Sequence, residues 1–336
     1  MAENNTSRRL RWGIVGVANI ALKAVMPAIQ ASRNGELVAL SSRGFGKADA
    51  PAEQFNIPRV YGSYWEMLKD PDIEAVYIPL PNSLHREWTF EALARGKHVL
   101  CEKPLGLNAD EAEAMRQAAH GSSFKLMEAF MYRFHPRVRE LRRLVETGAI
   151  GEVRLVRAAF SFKMTRLPNI RLDPNLGGGA LMDVGCYGIN FSRYIVGQEP
   201  SEVFAFAQLG QASGVDELLV AALRFPNGAL AQVDCSFQVP RRMLAEVVGT
   251  EGRIEVPTAW LPGHAESVLY LERADGSVET LTFPGVDQYQ IMVEEFADAA
   301  LAGRPVPLPP SDAVANMRVI DAARQSAREG RLVSLS

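Results

Sequence analysis

A carboxylate and a phenol stand four residues apart in a glycine-rich part of the chain. Three consecutive glycines at positions 177–179 come first, and Asp183 and Tyr187 follow among apolar neighbours. Residues four apart share one face of an α-helix, so a helix that begins after the glycines would present both groups together. A phenol can exchange a proton with a reacting oxygen while a carboxylate orients hydroxyl groups, so the spacing predicts acid–base chemistry. A capped helix with an ordinary half-buried tyrosine is the alternative.

A lysine stands directly after a predicted buried strand. Glu102, Lys103 and Pro104 follow residues 98–101, a short apolar run typical of a strand in a parallel sheet. Ligands of open parallel sheets bind beyond the carboxyl ends of the strands, so Lys103 is a candidate to face such a ligand. Taken alone, this tripeptide is equally typical of a surface loop.

The first predicted strand, residues 12–15, runs into a glycine-led turn that opens a helix. The sequence from Gly16 to Ala21 matches the dinucleotide-binding fingerprint, with alanines at the second and third glycine positions. Main-chain N–H groups at such a helix start can hold a pyrophosphate, and the helix dipole favours its negative charge. A tight strand-to-helix turn without a ligand is the alternative. The residues that we expect to hold the cofactor here are Gly16, Val17, Ala18, Asn19 and Ile20.

The end of the second predicted strand bears on the choice of cofactor. Folds that bind NAD place an Asp or Glu there, on the ribose 2′-hydroxyl. Here Ser42, Arg43 and Lys47 occupy the stretch, and the first acidic residue, Asp49, comes too late. A carboxylate would repel a 2′-phosphate, whereas a hydroxyl, a guanidinium and an ammonium group would bind it. We therefore predict NADP over NAD, with solvated loop charges as the alternative.

The elements that must position these groups change character near residue 130. Before it, short apolar strands alternate with helices of about ten residues, which is the pattern of βαβ units. After it, a glycine-led helix and successive strands with hairpin turns predict an antiparallel sheet. The predicted fold class is α/β: a Rossmann doubly wound parallel sheet domain followed by an α+β domain with a mostly antiparallel open sheet. The predicted division is 1–130 for dinucleotide binding, 131–310 for substrate binding and oligomerisation, and 311–336 for a C-terminal helix packing back on the first domain.

Composition narrows the classes of function. The chain has 336 residues, 47% of them apolar, and 36 basic residues against 39 acidic ones give a formal net charge of -3. There is no positive excess for nucleic acid, no apolar run that could span a membrane, and no His or Cys spacing typical of a metal site. Three widely spaced cysteines indicate a reducing compartment. Arg8 and Arg9 could begin an export signal, but the first strand follows at once, so we predict a cytoplasmic protein. The absence of metal-site spacing predicts that it binds no metal.

Together these motifs resemble the glucose–fructose oxidoreductase / inositol dehydrogenase / MocA family of NAD(P)-dependent oxidoreductases over nearly the whole chain. The sequence is most similar to the glucose–fructose oxidoreductase and sugar dehydrogenase branch, which includes dihydrodiol dehydrogenases and sugar ketoreductases. The segments that carry the resemblance are residues 12–16, 96–104, 128–136, 177–187 and 248–252, together with Phe296.

The resemblance assigns roles to particular residues. It implies that Lys103 contacts the reacting oxygen and the nicotinamide ribose, and that Pro104 follows a cis peptide bond. Asp183 and Tyr187 match the family's Asp-x-x-x-His/Tyr motif, in which many relatives have histidine at the last position. Further candidates for cofactor binding are Leu80, Asn82, His85 and Glu102, with a structural role as the alternative for His85. Candidates for sugar binding are Arg133 and Arg171, with surface pairing as the alternative.

These expectations combine in an NADP-dependent oxidoreductase that transfers a hydride between the nicotinamide and a sugar or related cyclic polyol or ketone. Tyr187 would donate or accept the proton, Lys103 would stabilise its phenolate, and Asp183 would orient substrate hydroxyls or tune Lys103. Two alternatives stay open: a redox-assisted glycosidase with bound nicotinamide cofactor, and a non-catalytic dinucleotide-binding regulator. Because a bare apolar sheet face invites aggregation, we also expect a homodimer or homotetramer through the antiparallel sheet.

Overall fold

The computed structural model describes residues 8–44 and 46–335 and divides into two compact units. Unit 1 comprises Met1–Gly106, Asp110–Met131 and Asp287–Ala313. Unit 2 comprises Leu107–Ala109, Tyr132–Val286 and Val314–Ser336. The largest difference from the division made from the sequence is that residues 287–310, assigned there to the second domain, belong to unit 1. The packing of the last helix against the first domain stays a prediction.

Unit 1 is built on a parallel sheet whose central strands are buried. In the described part of the chain its strands are β1 (Leu10–Val15), β2 (Gly35–Ser41), β3 (Arg59–Tyr61), β4 (Ala75–Ile78), β5 (His98–Cys101) and β6 (Leu126–Glu128). They pair in the order β3-β2-β1-β4-β5-β6, and every pair is parallel. In this doubly wound order, ligands bind where the order reverses, between β1 and β4. The predicted Rossmann domain is confirmed.

Unit 2 contains a larger mixed sheet. Its strands, among the described residues, are β7 (Val153–Ser161), β8 (Glu202–Leu209), β9 (Asp216–Arg224), β10 (Leu230–Ser236), β11 (Arg242–Gly249), β12 (Gly252–Pro257), β13 (Ser267–Arg273), β14 (Val278–Phe283) and β15 (Val333–Ser334). The order is β14-β13-β12-β11-β7-β10-β9-β8-β15, and β7 and β10 run parallel whereas the other neighbours are antiparallel. Residues alternate between buried and exposed along β9 and β10. The predicted mostly antiparallel sheet is confirmed.

The helices of both units follow the chain order. They are α1 (Met26–Ala31), α2 (Asp49–Gln54), α3 (Tyr64–Lys69), α4 (His85–Ala94), α5 (Ala109–His120), α6 (Pro136–Glu146), α7 (Cys186–Val196), α8 (Gln288–Leu301) and α9 (Pro310–Glu329). Widened π-helical turns, Ala21–Val25 and Leu181–Gly185, precede α1 and α7. Such turns are frequent at functional sites. They stand here directly after the two glycine-led motifs that the sequence singles out.

Helix α8 belongs to unit 1 because its apolar side packs there. Phe296 lies against Trp12 of β1, with the ring centroids 5.3 Å apart, and both side chains are fully buried. At the rim, Arg33 pairs with Asp298, and Asn34 donates to the main-chain oxygen of Glu294 at 2.9 Å. A buried aromatic pair outweighs exposed charge pairs in stability, so the aromatic contact accounts for the position of α8.

Some elements were not predicted from the sequence. β3 has three residues and is partly exposed, so it lacks the buried run by which the other strands were found. Helix α3, Tyr64–Lys69, was also missed. Among the described residues, no helix is long and apolar enough to cross a bilayer. The same residues contain no cluster of three His, Cys, Asp or Glu side chains that could hold a metal ion.

Candidate active site

The turn after β1 has no room for a side chain. Gly16 has φ +101°, a backbone conformation that other residues rarely adopt. A Cβ atom there would lie 2.8 Å from Cδ2 of Leu80 and 3.3 Å from the Tyr64 hydroxyl. Leu80 follows β4, so the turn after β1 and the loop after β4 are in contact at the point where the strand order reverses. The Cβ-free turn fits the close approach that a pyrophosphate makes to a dinucleotide-binding loop.

The residues after Gly16 form the start of a helix. Val17, Ala18 and Ile20 are half-buried and Asn19 is exposed, and the chain is helical from Asn19 onward. The first N–H groups of a helix lack intrahelical acceptors and carry the positive end of its dipole. This segment is therefore suited to hold an anion at the carboxyl edge of the sheet.

The end of β2 carries the cationic group predicted there. Arg43 is exposed, and its guanidinium lies close enough to Tyr64 to lower the pKa of that hydroxyl, although burial raises it more. Ser42 is buried, and its hydroxyl donates to the main-chain oxygen of Gly44. Lys47 is exposed just before α2. Tyr64 lies next to both Gly16 and Arg43, so Arg43 is close to the Gly16 turn. The Ser42 hydroxyl, by contrast, is used in a hydrogen bond within its own turn.

Lys103 follows β5 at the same edge of the sheet. The Lys103–Pro104 peptide is cis, as the family resemblance implies. The carboxylate of Glu102 accepts from the Tyr77 hydroxyl at 2.6 Å and from the Lys103 main-chain N–H at 3.3 Å. Burial and this carboxylate raise the pKa of Tyr77 well above its ordinary value, so Tyr77 stays a neutral donor. Glu102 thus anchors the main chain that carries Lys103.

His85 connects two loops of the site. Its ring nitrogens each lie 2.9 Å from a main-chain oxygen, Nδ1 from that of Pro104 and Nε2 from that of Leu80. The ring is fully buried, and burial lowers its pKa. Both nitrogens lie against main-chain oxygens of the protein, which supports the alternative of a structural role for His85. Asn82 lies between Leu80 and His85 in the sequence, half-buried, at the start of a 3₁₀ turn.

In unit 2, the predicted carboxylate has a cationic partner. Nε of Arg171 donates to Oδ2 of Asp183 at 2.6 Å. The Asp183 side chain is 16% exposed and that of Arg171 41% exposed, so the pair stands at the protein surface with the carboxylate the more enclosed group. Arg171 lies in a 3₁₀ turn of the loop after β7. The guanidinium predicted to bind substrate therefore also holds the predicted carboxylate.

Tyr187 lies within a cluster of aromatic rings. Its ring is 4% exposed and packs edge-on against Phe160 at 5.4 Å between centroids. Tyr132 and Trp260 contribute tilted contacts at 5.9 and 5.8 Å. Trp260 is held in turn by a hydrogen bond from Nε1 to the main-chain oxygen of Ala159, at 3.0 Å. Rings fixed from several sides leave the phenol one orientation, which proton transfer requires.

Arg133 packs against α7, beyond Tyr187 along the helix. Its guanidinium lies over the Tyr194 ring, 3.7 Å from the centroid, and 3.4 Å from Oδ1 of Asn190. The same amide oxygen accepts from the Tyr132 hydroxyl at 2.6 Å. These contacts bring Arg133 to α7, the helix of Tyr187.

The glycine run is explained by what packs against it. A Cβ on Gly178 would lie 2.5 Å from the main-chain oxygen of Arg171. A Cβ on Gly179, which has φ +119°, would lie 2.2 Å from Oδ1 of Asp216. Asp216 begins β9 and accepts from the Leu181 N–H at 2.6 Å. Sequence reasoning missed this carboxylate, because nothing in the spacing of residues 181 and 216 indicates that they meet.

Family models match both units of the chain. Residues 10–130 match the model described as "Oxidoreductase family, NAD-binding Rossmann fold". Residues 138–255 match "GFO/IDH/MocA C-terminal domain". The two matches cover the first strand, the Lys103 loop and the glycine-led helix.

Relatives of full length have the same organisation. The chain is 41% identical over 330 residues to the D-xylose 1-dehydrogenase (NADP(+)) 2 of Haloferax volcanii, which covers 97% of this chain and 100% of the relative. The crystal structure of an aldose-aldose oxidoreductase from Caulobacter crescentus complexed with glycerol has a TM-score of 0.91 at 31% identity, covering 98% and 100% of the two chains. A 3-ketoreductase from Actinomadura kijaniata, solved with NADP and TDP-benzene, has a TM-score of 0.90 at 32% identity, covering 95% and 98%.

The matched models span most of the chain and the xylose dehydrogenase matches almost all of it. The glycine-led turn after β1 and the cis Lys103–Pro104 bond accord with what the resemblance implies. The chain therefore belongs to the GFO/IDH/MocA family of NAD(P)-dependent oxidoreductases.

Proposed function

We propose that the protein is an NADP-dependent oxidoreductase that transfers a hydride between the nicotinamide and a sugar, or a related cyclic polyol or ketone. The relatives support this class of substrate. They include a D-xylose dehydrogenase named for NADP(+), an aldose-aldose oxidoreductase, and a 3-ketoreductase solved with NADP and TDP-benzene.

The observation that carries the proposal is a charge-paired carboxylate and a fixed phenol on successive turns of one helix. Asp183 is held by Arg171, and Tyr187 is fixed by surrounding rings. A non-catalytic binding protein has no need of an enclosed phenol beside an oriented carboxylate. An enzyme that moves a proton at a sugar hydroxyl can use the phenol as its acid or base and the carboxylate to orient the substrate.

Residues of unit 1 are suited to hold the cofactor. The main chain from Gly16 to Ile20, with Leu80, Asn82, Glu102 and Lys103, would line its site. Arg43 and Lys47 would meet the 2′-phosphate, supported by the Tyr64 hydroxyl beside Arg43 and by the absence of an acid between residues 41 and 48. Ser42 and His85 would act by fixing the loops. When bound, the nicotinamide supplies the carbon that donates or accepts the hydride.

Tyr187 is the proposed proton donor in reduction and proton acceptor in oxidation. A phenol in water has a pKa of about 10, too high for a base at neutral pH. A cation stabilises a phenolate and lowers that pKa, and we assign this part to Lys103. Asp183, kept in place by Arg171, would accept hydrogen bonds from substrate hydroxyls.

The two candidate arginines would take different parts in substrate binding. Arg171 is 41% exposed while it holds Asp183, so a sugar hydroxyl can reach its guanidinium from the solvent side. Arg133 is half-buried over Tyr194, and it would act on the substrate through the orientation of α7 as much as by contact.

A substrate panel tests the proposal. The purified protein is assayed with aldoses, keto-sugars and dihydrodiols, each with NADP and NAD in parallel, by reduced-nicotinamide absorbance. We expect turnover with a sugar or cyclic polyol, and a higher kcat/KM with NADP. Equal rates with NAD would refute the assignment of Arg43. Release of sugar from an aryl glycoside without net nicotinamide reduction would favour a redox-assisted glycosidase instead.

We also propose that the protein forms a homodimer or homotetramer through the sheet of unit 2, in the cytoplasm. The open face of that sheet exposes apolar side chains, among them Phe206 (66%), Leu230 (48%) and Leu244 (41%). Apolar patches of this kind are typical of interfaces. Phe206→Glu should shift the mass measured by light scattering to that of a monomer, while Val60→Glu, at an exposed apolar site on β3, should leave it unchanged. A wild-type monomer would refute the proposal.

A further inference from the structure

The start of the helix that carries Asp183 and Tyr187 is held by a residue from another element. Asp216 lies at the beginning of β9, and its Oδ2 accepts from the Leu181 N–H at 2.6 Å. The N–H of Ala180 is a further donor to the same carboxylate. A carboxylate at a helix N-terminus receives otherwise unpaired N–H groups and meets the positive end of the helix dipole.

Gly179 leaves room for the Asp216 carboxylate because it has no side chain. A Cβ atom on Gly179 would come within 2.2 Å of Oδ1 of Asp216. Gly179 itself donates its N–H to the main-chain oxygen of Arg171 at 2.9 Å. The helix start is thus fixed on one side by the loop that provides Arg171 and on the other by Asp216.

We propose that Asp216 is a positioning residue, which sets the orientation of Asp183 and Tyr187 by capping the helix that carries them. The inference rests on the proposed function of Tyr187. Asp183 lies two residues after Leu181, within the π-helical turn, and Tyr187 lies one turn further on. A displacement of the capped N–H groups is therefore transmitted directly to both side chains.

The environment of Asp216 does not favour its charged form, which distinguishes a positioning role from a stabilising one. Burial raises the pKa of the carboxyl to about 6, although the N–H groups of Leu181, Ala180 and Asp216 itself, with Arg324 of α9, lower it. The Cys235 thiol of β10, itself kept neutral by burial, also faces the carboxylate. Asp216 is still mainly a carboxylate at neutral pH, but its ionisation costs more free energy in the folded state than in the unfolded state. A group kept in a state that opposes stability is typical of a functional requirement.

The test compares Asp216→Asn with Asp234→Asn. The asparagine keeps the shape and one acceptor oxygen at residue 216, but it places an amide NH₂ where the second N–H needs an acceptor. Asp234 is a carboxylate of the same sheet that pairs with Arg242, away from the helix. We expect kcat of Asp216→Asn to fall by about tenfold or more, as small misplacements of reacting groups do. NADPH affinity should stay unchanged, and Asp234→Asn should keep wild-type kcat.

A second arm uses the Tyr187→Phe background. If Asp216 acts through Tyr187 as well as Asp183, Asp216→Asn should lower kcat by a smaller factor in Tyr187→Phe than in the wild type, because coupled residues are not additive. Amide exchange of the segment from Ala180 to Tyr187 should be faster in Asp216→Asn, while the free energy of unfolding at neutral pH should not fall. These results together support a positioning role.

Three results would overturn it. Wild-type kcat in Asp216→Asn refutes the positioning role and leaves the proposed function intact if Tyr187→Phe is inactive. An equal loss of kcat in both backgrounds, together with a lower free energy of unfolding, makes Asp216 merely structural. Full turnover in Tyr187→Phe removes the proposed function of Tyr187 and this inference with it.

Discussion

Replacing Asp216 by asparagine should change how the stability of the protein depends on pH. Burial raises the pKa of this carboxyl from 3.8 to about 6 in the folded protein. Between these values, the folded state keeps the proton while the unfolded state has lost it. The contribution of Asp216 to stability is therefore present below about pH 4 and is lost as the pH rises through about 6.

The shift of the Asp216 pKa on folding sets how much the unfolding free energy changes with pH. A change from 3.8 to about 6 corresponds to about 3 kcal/mol of unfolding free energy. Asparagine does not titrate, so Asp216→Asn should lack this loss. The free energy of unfolding of the variant, minus that of the wild type, should therefore rise by about 3 kcal/mol between pH 4 and pH 6 and stay constant above it.

Urea unfolding at a series of pH values measures this difference. His98 and His135, whose pKa burial lowers to about 4, titrate in the same range but act equally in both proteins. Asp234→Asn provides the control, because its carboxylate is partly exposed and paired with Arg242. A difference that is flat from pH 4 to pH 6, or that falls, would refute the reasoning that the ionised Asp216 opposes stability.

Three further substitutions test other parts of the account. Arg43→Ala should raise KM for NADP about fivefold and leave KM for NAD unchanged, since a contact between unit charges in water is worth about 1 kcal/mol; steady-state kinetics with both cofactors measure it. Arg171→Gln should lower kcat/KM about fivefold by leaving Asp183 without its exposed partner, without changing cofactor affinity in a fluorescence titration. Arg137→Met should lower the free energy of unfolding by about 3 kcal/mol in urea, because the buried guanidinium donates to three main-chain oxygens of Pro257–Ala259; an unchanged value would contradict that role.

Local patterns predicted the elements of the site well. The spacing of Asp183 and Tyr187 predicts a shared helix because helical periodicity acts over neighbouring residues. The glycine after β1 and the lysine after β5 were found because buried strands and their ends are readable from short apolar runs. The parallel and antiparallel sheets follow from the same local signals.

Long-range partners could not be predicted in the same way. Asp216 contacts the helix start across 35 residues, and Arg171 contacts Asp183 across 12, separations over which no local pattern acts. His85 follows β4 as a cofactor residue would, but its ring is occupied by two main-chain oxygens that no sequence pattern indicates. The side-chain types alone do not distinguish a group that binds a ligand from one that holds a loop.

The position of α8 depends on a similar long-range contact. The change of pattern near residue 130 indicates where the first domain gives way to the second. Residues 287–313 belong to unit 1, and the ring contact between Phe296 and Trp12 accounts for this. Hydrophobic periodicity predicts that a helix has an apolar face but does not specify what covers it.

The turnover of Tyr187→Phe is the most direct test of the central claim. The substitution removes the hydroxyl but leaves the ring, whose packing against Phe160 and Trp260 should keep the fold intact. We predict that kcat falls by about 100-fold or more, the usual contribution of a general acid or base, while NADPH binds with wild-type affinity. Wild-type turnover with NADPH bound normally would contradict the account and make Lys103 the candidate for the proton-transfer group.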